Sequence, residues 1–291
     1  MSSIDTPLDR RPQPALFISH GSPMTALDGG PAGRFMRELG PALLQTFGRP
    51  RAILAVSAHS LARELVLLAG PRHQAVYDFG GFDPKLRTLR YDAPGAPDLA
   101  TELAKDLQTK GWTVHTEQAA GLDHGIWTPL LHALPQADIP VLPLAWNPRT
   151  PPAELMRLGR DLRTWADQGV LVMASGSITH NLQLFMQNPL PMDAPERPES
   201  HEFRQWWARH TEAGDWAALQ DWASQAPHGA LMHPTDEHLR PFFVAAGVGQ
   251  ARGVAGLRVH DSAQHGVIGM DAYRFAPAAQ AHHAGAQSAL G

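Results

Sequence analysis

Three apolar runs of this chain each end on a histidine: Leu16-Phe-Ile-Ser-His20, Arg51-Ala-Ile-Leu-Ala-Val-Ser-Ala-His59 and Val170-Leu-Val-Met-Ala-Ser-Gly-Ser-Ile-Thr-His180. An apolar run of this length reads as a buried strand, and the Gly21-Ser22-Pro23 break after the first supplies the backbone angles of a reversal. Each imidazole is thereby placed at the C-terminal end of a strand, where open α/β sheets bind their ligands. A fourth, His238, closes His233-Pro-Thr-Asp-Glu-His238. That segment reads as the opening of a helix, with Thr235 as N-cap and Asp236 and Glu237 in the first turn. Neutral imidazole is the commonest metal ligand. With no cysteine in the chain, any metal is left to His, Asp and Glu. The expectation is a mononuclear site at the C-terminal edge of a sheet, with three ligands among His20, His59, His180 and His238 and a fourth histidine that ligates or handles protons. The competing reading has each histidine cap a strand or helix and bond a loop. No two of the four are close in sequence, so only the fold can unite them.

His124 stands in Gly121-Leu-Asp-His-Gly125, a turn suited to aiming a polar side chain at a substrate oxygen, or else an exposed loop position. Asp78 and Asp123 are candidates to accept from site imidazoles, although loop aspartates equally make turns. The chain has no P-loop, no G-x-G-x-x-G after a strand and no G-x-S-x-G elbow, which excludes the nucleotide, dinucleotide and serine-hydrolase signatures.

The elements that must position these groups follow in order. Residues 1–14 read as a flexible N-terminal arm. A helix over 32–40 closes at Gly40-Pro41, and 51–57 is a central strand with 64–70 as its neighbour. Residues 77–97, rich in Gly, Pro and aromatics, form a long ordered loop of the kind that carries function. A helix over 96–110, a strand over 112–116 and a short helix over 130–134 follow. Two prolines place the 139–146 strand at an edge or in an irregular position. The amphipathic helix over 151–168 buries Leu155, Leu158, Leu162 and Trp165. Two tryptophan-bearing helices span 199–225, and Pro241 either kinks the 235 helix or starts a new one. Strands over 256–260 and 267–270 precede a frayed tail over 276–291. No repeat or linker divides the chain, so 15–275 is one domain.

The net charge of −4 and 18% charged residues give no basic excess of the kind nucleic-acid proteins show. The N-terminus has no apolar leader region and no later run reaches a membrane span, so a cytoplasmic protein, a monomer or small homo-oligomer, is expected. Of the sixteen histidines, His73, His115, His201, His210, His282 and His283 lie in surface-like contexts.

Ser-His20-Gly-Ser-Pro-Met, Val-Ser-Ala-His59, Asp78-Phe-Gly-Gly-Phe, Tyr91-Asp-Ala-Pro-Gly-Ala-Pro, Gly121-Leu-Asp-His-Gly-Ile-Trp, Ala174-Ser-Gly-Ser-Ile-Thr-His-Asn-Leu and Pro234-Thr-Asp-Glu-His resemble, in order, the class III extradiol ring-cleavage dioxygenases, in their 4,5-DOPA dioxygenase-like branch. The resemblance runs from about residue 15 to about residue 275. It implies an α/β fold, a single domain with a mixed, mostly parallel central sheet flanked by helices. It also implies one non-haem Fe(II) or Zn(II), a small catecholic substrate and O2. Carried across, His20, His59 and His238 fall on metal positions, His180 on a position that is ligand or acid/base, and His124 on a substrate-facing position. Glu237 matches the residue type of the wider superfamily's carboxylate ligand. Two departures stand beside site histidines: Ser60 where Trp is common and Ser177 where Asn is common. An all-imidazole site serves Zn(II) as well as Fe(II), so a zinc-dependent hydrolase and a non-catalytic metal-binding protein are the alternative functions.

Overall fold

The three strands expected to end on a histidine form, and they lie side by side. The computed structural model describes residues 11–276; the expectations for 1–10 and 277–291 lie outside the described residues. Gln13 is buried, its N–H donating to Ala166 O (2.8 Å) and its amide to Phe47 O (2.9 Å). The strands are β1 (Ala15–Ser19), β2 (Ala52–Ser57), β3 (Leu65–Leu68), β4 (Arg72–His73), β5 (Ala93–Pro94), β6 (Val114–Glu117), β7 (Val141–Ala145), β8 (Val170–Gly176), β9 (Leu257–His260), β10 (Ala263–Gln264), β11 (Ile268–Gly269) and β12 (Ala272–Phe275). Eight of them make one mixed sheet in the order β6-β3-β7-β2-β8-β1-β12-β9. Its centre, β7-β2-β8-β1, is parallel, so these four strands finish at the same end. The flanking β3 and β12 run the other way.

The helices are α1 (Gly30–Phe47), α2 (Pro97–Thr109), α3 (His124–Ala133), α4 (Pro152–Asp167), α5 (Leu182–Gln187), α6 (Pro198–Ala213), α7 (Trp216–Gln220), α8 (Trp222–Gln225), α9 (Gly229–Met232) and α10 (Pro241–Ala251). Successive residues of a strand point to opposite faces, and here both faces are apolar. Ile53 and Ala55 of β2 join a core with Met36 and Leu39 of α1 and Ile126, Trp127 and Leu130 of α3. Leu54 and Val56 join a second core with Leu103 of α2, Leu155, Leu158 and Leu162 of α4, and Phe242 and Phe243 of α10. Parallel strands covered on both faces read as continuous apolar runs, which is why β2 and β8 were legible. Among the described residues no helix is long and apolar enough to cross a membrane.

Several local expectations change. α1 does not close at Gly40-Pro41 but continues to Phe47. Gly40 is there because α3 comes so near that a Cβ would stand 1.7 Å from Ala133 O. β3 is not the neighbour of β2, since β7 lies between them. β7 is therefore interior despite Pro143, which is tolerated because the ladder to β3 engages only Leu144 and Ala145. α3 starts at His124 rather than near 130. Residues 234–240 form turns, not the first turn of a helix, and Pro241 opens α10 at its first position. Three helices, not two, span 198–225. β12, unforeseen because Asp271 and Arg274 interrupt its apolar run, pairs with β1. His73 is buried rather than surface-like, its Nδ1 accepting from Gly121 N–H (3.2 Å).

Candidate metal centre

Parallel pairing delivers His20, His59 and His180 to one place. His20 directly follows β1 and donates its backbone N–H to Gly176 O (3.0 Å) at the end of β8. His59 lies two residues past β2, its N–H held by Ser57 Oγ (3.1 Å). His180 lies four residues past β8. His238 comes from the turns before α10, and its carbonyl accepts from Ser177 N–H (2.9 Å). A Cβ on Gly176 would stand 1.9 Å from that carbonyl, so glycine is what admits the His238 loop to the sheet edge. His124 enters at the first position of α3. All five expected site histidines are thus brought together.

Three ring nitrogens converge. His59 Nε2 is 3.2 Å from His20 Nε2 and 3.3 Å from His238 Nε2. The outer two have their tautomers set from behind. Ser175 donates its one hydroxyl proton to Gly125 O (2.5 Å), so its oxygen accepts from His20 Nδ1–H (2.9 Å). Glu237 Oε1 accepts from His238 Nδ1–H (2.9 Å). Both Nε2 atoms therefore turn lone pairs toward His59, which has at most one N–H to give. Such a set fits a cation: nitrogens about 2.0–2.1 Å from a shared ion lie about 3.0–3.4 Å apart. Burial, then the neighbouring imidazoles His59, His124, His238 and His180, hold His20 well below the ordinary imidazole value. His238 is lowered in the same way by burial and then by His180. Burial, then His124, also lowers His59. The cluster is neutral at neutral pH, the form in which imidazole ligates.

His180 sits differently. Its ring lies flat on His238, centroids 3.5 Å apart and planes 12° apart. Lone pairs of stacked rings run in separate, nearly parallel planes, so one ion cannot lie in the plane of both. Burial, then His233, lowers His180 to about 4. His180, Glu237 and His238 also offer ligand atoms within 4.8 Å of one another, as do His20, His59 and His124. Glu237 is nevertheless engaged with His238 Nδ1, which makes it the orienting group for that ring.

His124 is tied at Nδ1 to both oxygens of Asp78 (3.0 and 3.0 Å), and its backbone N–H also donates to Asp78 (3.1 Å). Burial raises Asp78, but the His124 hydrogen bond and charge outweigh it and the net shift is downward. The His124 ring lies 4.1 Å from that of His59, with Phe79 edge-on at 5.7 Å. Of the two aspartates expected to orient imidazoles, Asp78 does so. Asp123 instead accepts from Ser57 Oγ (2.7 Å) and Ser60 Oγ (2.5 Å) and braces the His59 turn. Ser60 is thereby part of that brace. Ser177 turns away from the cluster to bond Thr179 O (2.8 Å) and Gly269 O (3.2 Å). Sequence reasoning missed Ser175 altogether. Its signal was strand periodicity, since Ser175 and His20 leave adjacent parallel strands.

Residues 14–275 match the family described as the catalytic LigB subunit of aromatic ring-opening dioxygenase. The chain belongs to the class III extradiol dioxygenases. It is 33% identical over 261 residues to a 4,5-DOPA dioxygenase extradiol of Beta vulgaris, covering 89% of this chain and 95% of that one. A protein of the same description from Escherichia coli K12 is 34% identical over 240 residues, covering 80% and 84%. The crystal structure of an uncharacterized Escherichia coli K12 protein superposes with a TM-score of 0.73 at 27% identity, covering 91% of this chain and all of that one. In this extradiol dioxygenase family member the histidine cluster lies at the end where the parallel strands β1, β2 and β8 finish.

Proposed function

We propose that this protein cleaves a small catechol, DOPA-like in its substituent, beside its two hydroxyls, using O2 and one Fe(II) held by His20, His59 and His238. The observation that carries this is the convergence of three Nε2 atoms at 3.2 and 3.3 Å, with two lone pairs aimed by Ser175 and Glu237. Held there, iron would supply the redox chemistry with O2 that zinc, having none, would not.

The remaining work falls to this chain's side chains. His180 lies beside the three-nitrogen face without sharing its plane, and it is neutral at neutral pH. It accepts the proton of a catechol hydroxyl at a ring nitrogen. His124 presents Nε2 to the substrate while Asp78 holds Nδ1, so a hydrogen bond to a substrate oxygen is made in one orientation only. Phe79, with Phe82 edge-on to it at 5.7 Å, bounds the His124 side with aromatic surface suited to a ring. Both atoms of O2 end in the product, a ring-opened semialdehyde.

The test is anaerobic loading with Fe(II), followed by DOPA or catechol and then O2. A yellow product and one O2 consumed per catechol are expected, with the zinc-loaded protein silent. Fully iron-loaded protein that consumes no O2 with either catechol would overturn the reading in favour of non-catalytic metal binding.

A further inference from the structure

The aim of His180 depends on its backbone. Glu237 Oε1 is 3.8 Å from its Nδ1, beyond hydrogen-bond reach, and the ring is placed by resting on His238. The backbone beneath is pinned to the 231–233 segment by three hydrogen bonds. His180 N–H donates to Met232 O (3.0 Å), Asn181 Nδ2 to Leu231 O (2.7 Å), and His233 Nε2–H to Ile178 O (2.7 Å). On the other flank Thr179 Oγ1 donates to Val267 O (2.8 Å) and accepts from Gly269 N–H (2.6 Å).

His233 is the unusual member of this set. It is 4% exposed and lies between Phe203 and Trp222, with ring centroids 5.5 and 5.6 Å away. Among the described residues its Nδ1 has no hydrogen-bond partner. For packing alone, phenylalanine would fill such a space without stranding a buried lone pair. What the imidazole adds is a directed donor to the carbonyl two residues before His180. It does so from the segment that carries His238 five residues later, so one side chain joins the two loops whose rings stack.

We propose that His233 is a positioning residue for ring opening: its Nε2–H fixes the Ile178 carbonyl and thereby the aim of His180 across the face of His238. The proposal rests on the reading of His180 as proton acceptor. The test is a double-mutant cycle on the iron-loaded enzyme with catechol, comparing His233→Phe, which cannot donate, with His233→Gln, whose amide reaches toward the same carbonyl. His233→Phe is expected to keep its iron and its KM while kcat falls roughly tenfold to a hundredfold, and His233→Gln to recover most of that loss. Placed on top of His180→Ala, which itself lowers kcat, His233→Phe should cost nothing further. Wild-type kcat in His233→Phe, a Gln variant as slow as the Phe variant, or an undiminished penalty in the His180→Ala background each overturns the proposal. His180→Ala turning over at the wild-type rate overturns the proton-acceptor reading itself, and any loss in His233→Phe would then act elsewhere than through His180. Should His233→Phe not fold, His233→Gln against the shorter His233→Asn carries the same comparison.

Discussion

Two polar clusters buried among the described residues are finished differently. Around Arg204, whose side chain is 2% exposed, every charge has a counterpart. Its Nε and Nη2 grip the two oxygens of Asp271 (2.6 and 3.1 Å), Nη1 meets Glu196 (2.8 Å), Nη2 also meets Asp261, and Arg258 reaches Asp271 (3.3 Å) and Asp261. The histidine cluster is the opposite: His20 and His238 are satisfied at Nδ1, and both turn Nε2 lone pairs toward His59, which has at most one N–H for the two of them. A closed cluster is complete as it stands and ties α6 to Asp261 just after β9 and Asp271 just before β12. An open one is completed only by a cation. Unmet hydrogen-bonding capacity that converges, more than burial or charge alone, marks the functional site.

The contrast breaks most visibly in a pair of substitutions. His59→Ala should abolish metal binding and turnover while the metal-free protein keeps its urea midpoint, because no satisfied partner is stranded. Elemental analysis and urea titration read both, and full metal occupancy in this variant would misplace the site. Arg204→Met should do the reverse, costing about 3–5 kcal/mol of stability by leaving the buried Asp271 with only the longer contact to Arg258 (3.3 Å), with metal stoichiometry unchanged. A smaller effect sharpens the role of the outer partners. Glu237→Gln should weaken metal affinity roughly tenfold to a hundredfold, as loss of an orienting carboxylate does. Complete metal loss there, with His238→Ala still loaded, would instead make Glu237 the ligand.

A last comparison is the pH dependence of the metal-free protein. Burial holds His180 and His233 each at about 4, against an ordinary 6.5. Unfolded chains take up these protons below 6.5 and the folded chain only near 4, so stability is full above 6.5 and falls as pH drops through that window. Urea midpoints from pH 7.5 to 4.5 measure the fall, which should be shallower in His180→Ala. Equal slopes in the two proteins would show that His180 is solvated.

The sheet centre and the convergence of His20, His59 and His180 were legible because β1, β2 and β8 are short apolar runs that stop at a histidine. Parallel pairing then needs no further information to bring the three together. His238 was legible as a residue but not as a conformation. The 234–240 turns are set by the approach of its carbonyl to Gly176, a tertiary contact that outweighs the local capping signals of Thr235 and Asp236. Of the edge or irregular position that the prolines of the 139–146 strand suggested, the edge is excluded because β3 pairs beyond β7, and Pro143 is accommodated beside a β3 ladder only two residues long. Ser175 escaped notice since its place in the strand period gains meaning only once β1 is known to pair beside β8.

The pairing of β1 has a consequence for synthesis. In the order of synthesis β1 has no sheet partner until β8, and it is enclosed only when β12, near the C-terminal end of the described residues, lies down beside it. The strand that carries His20 therefore waits, in time as well as in space, for β12. A nascent chain lacking residues past 260 would already hold all five site imidazoles but would leave one edge of β1, the strand that leads into His20, open.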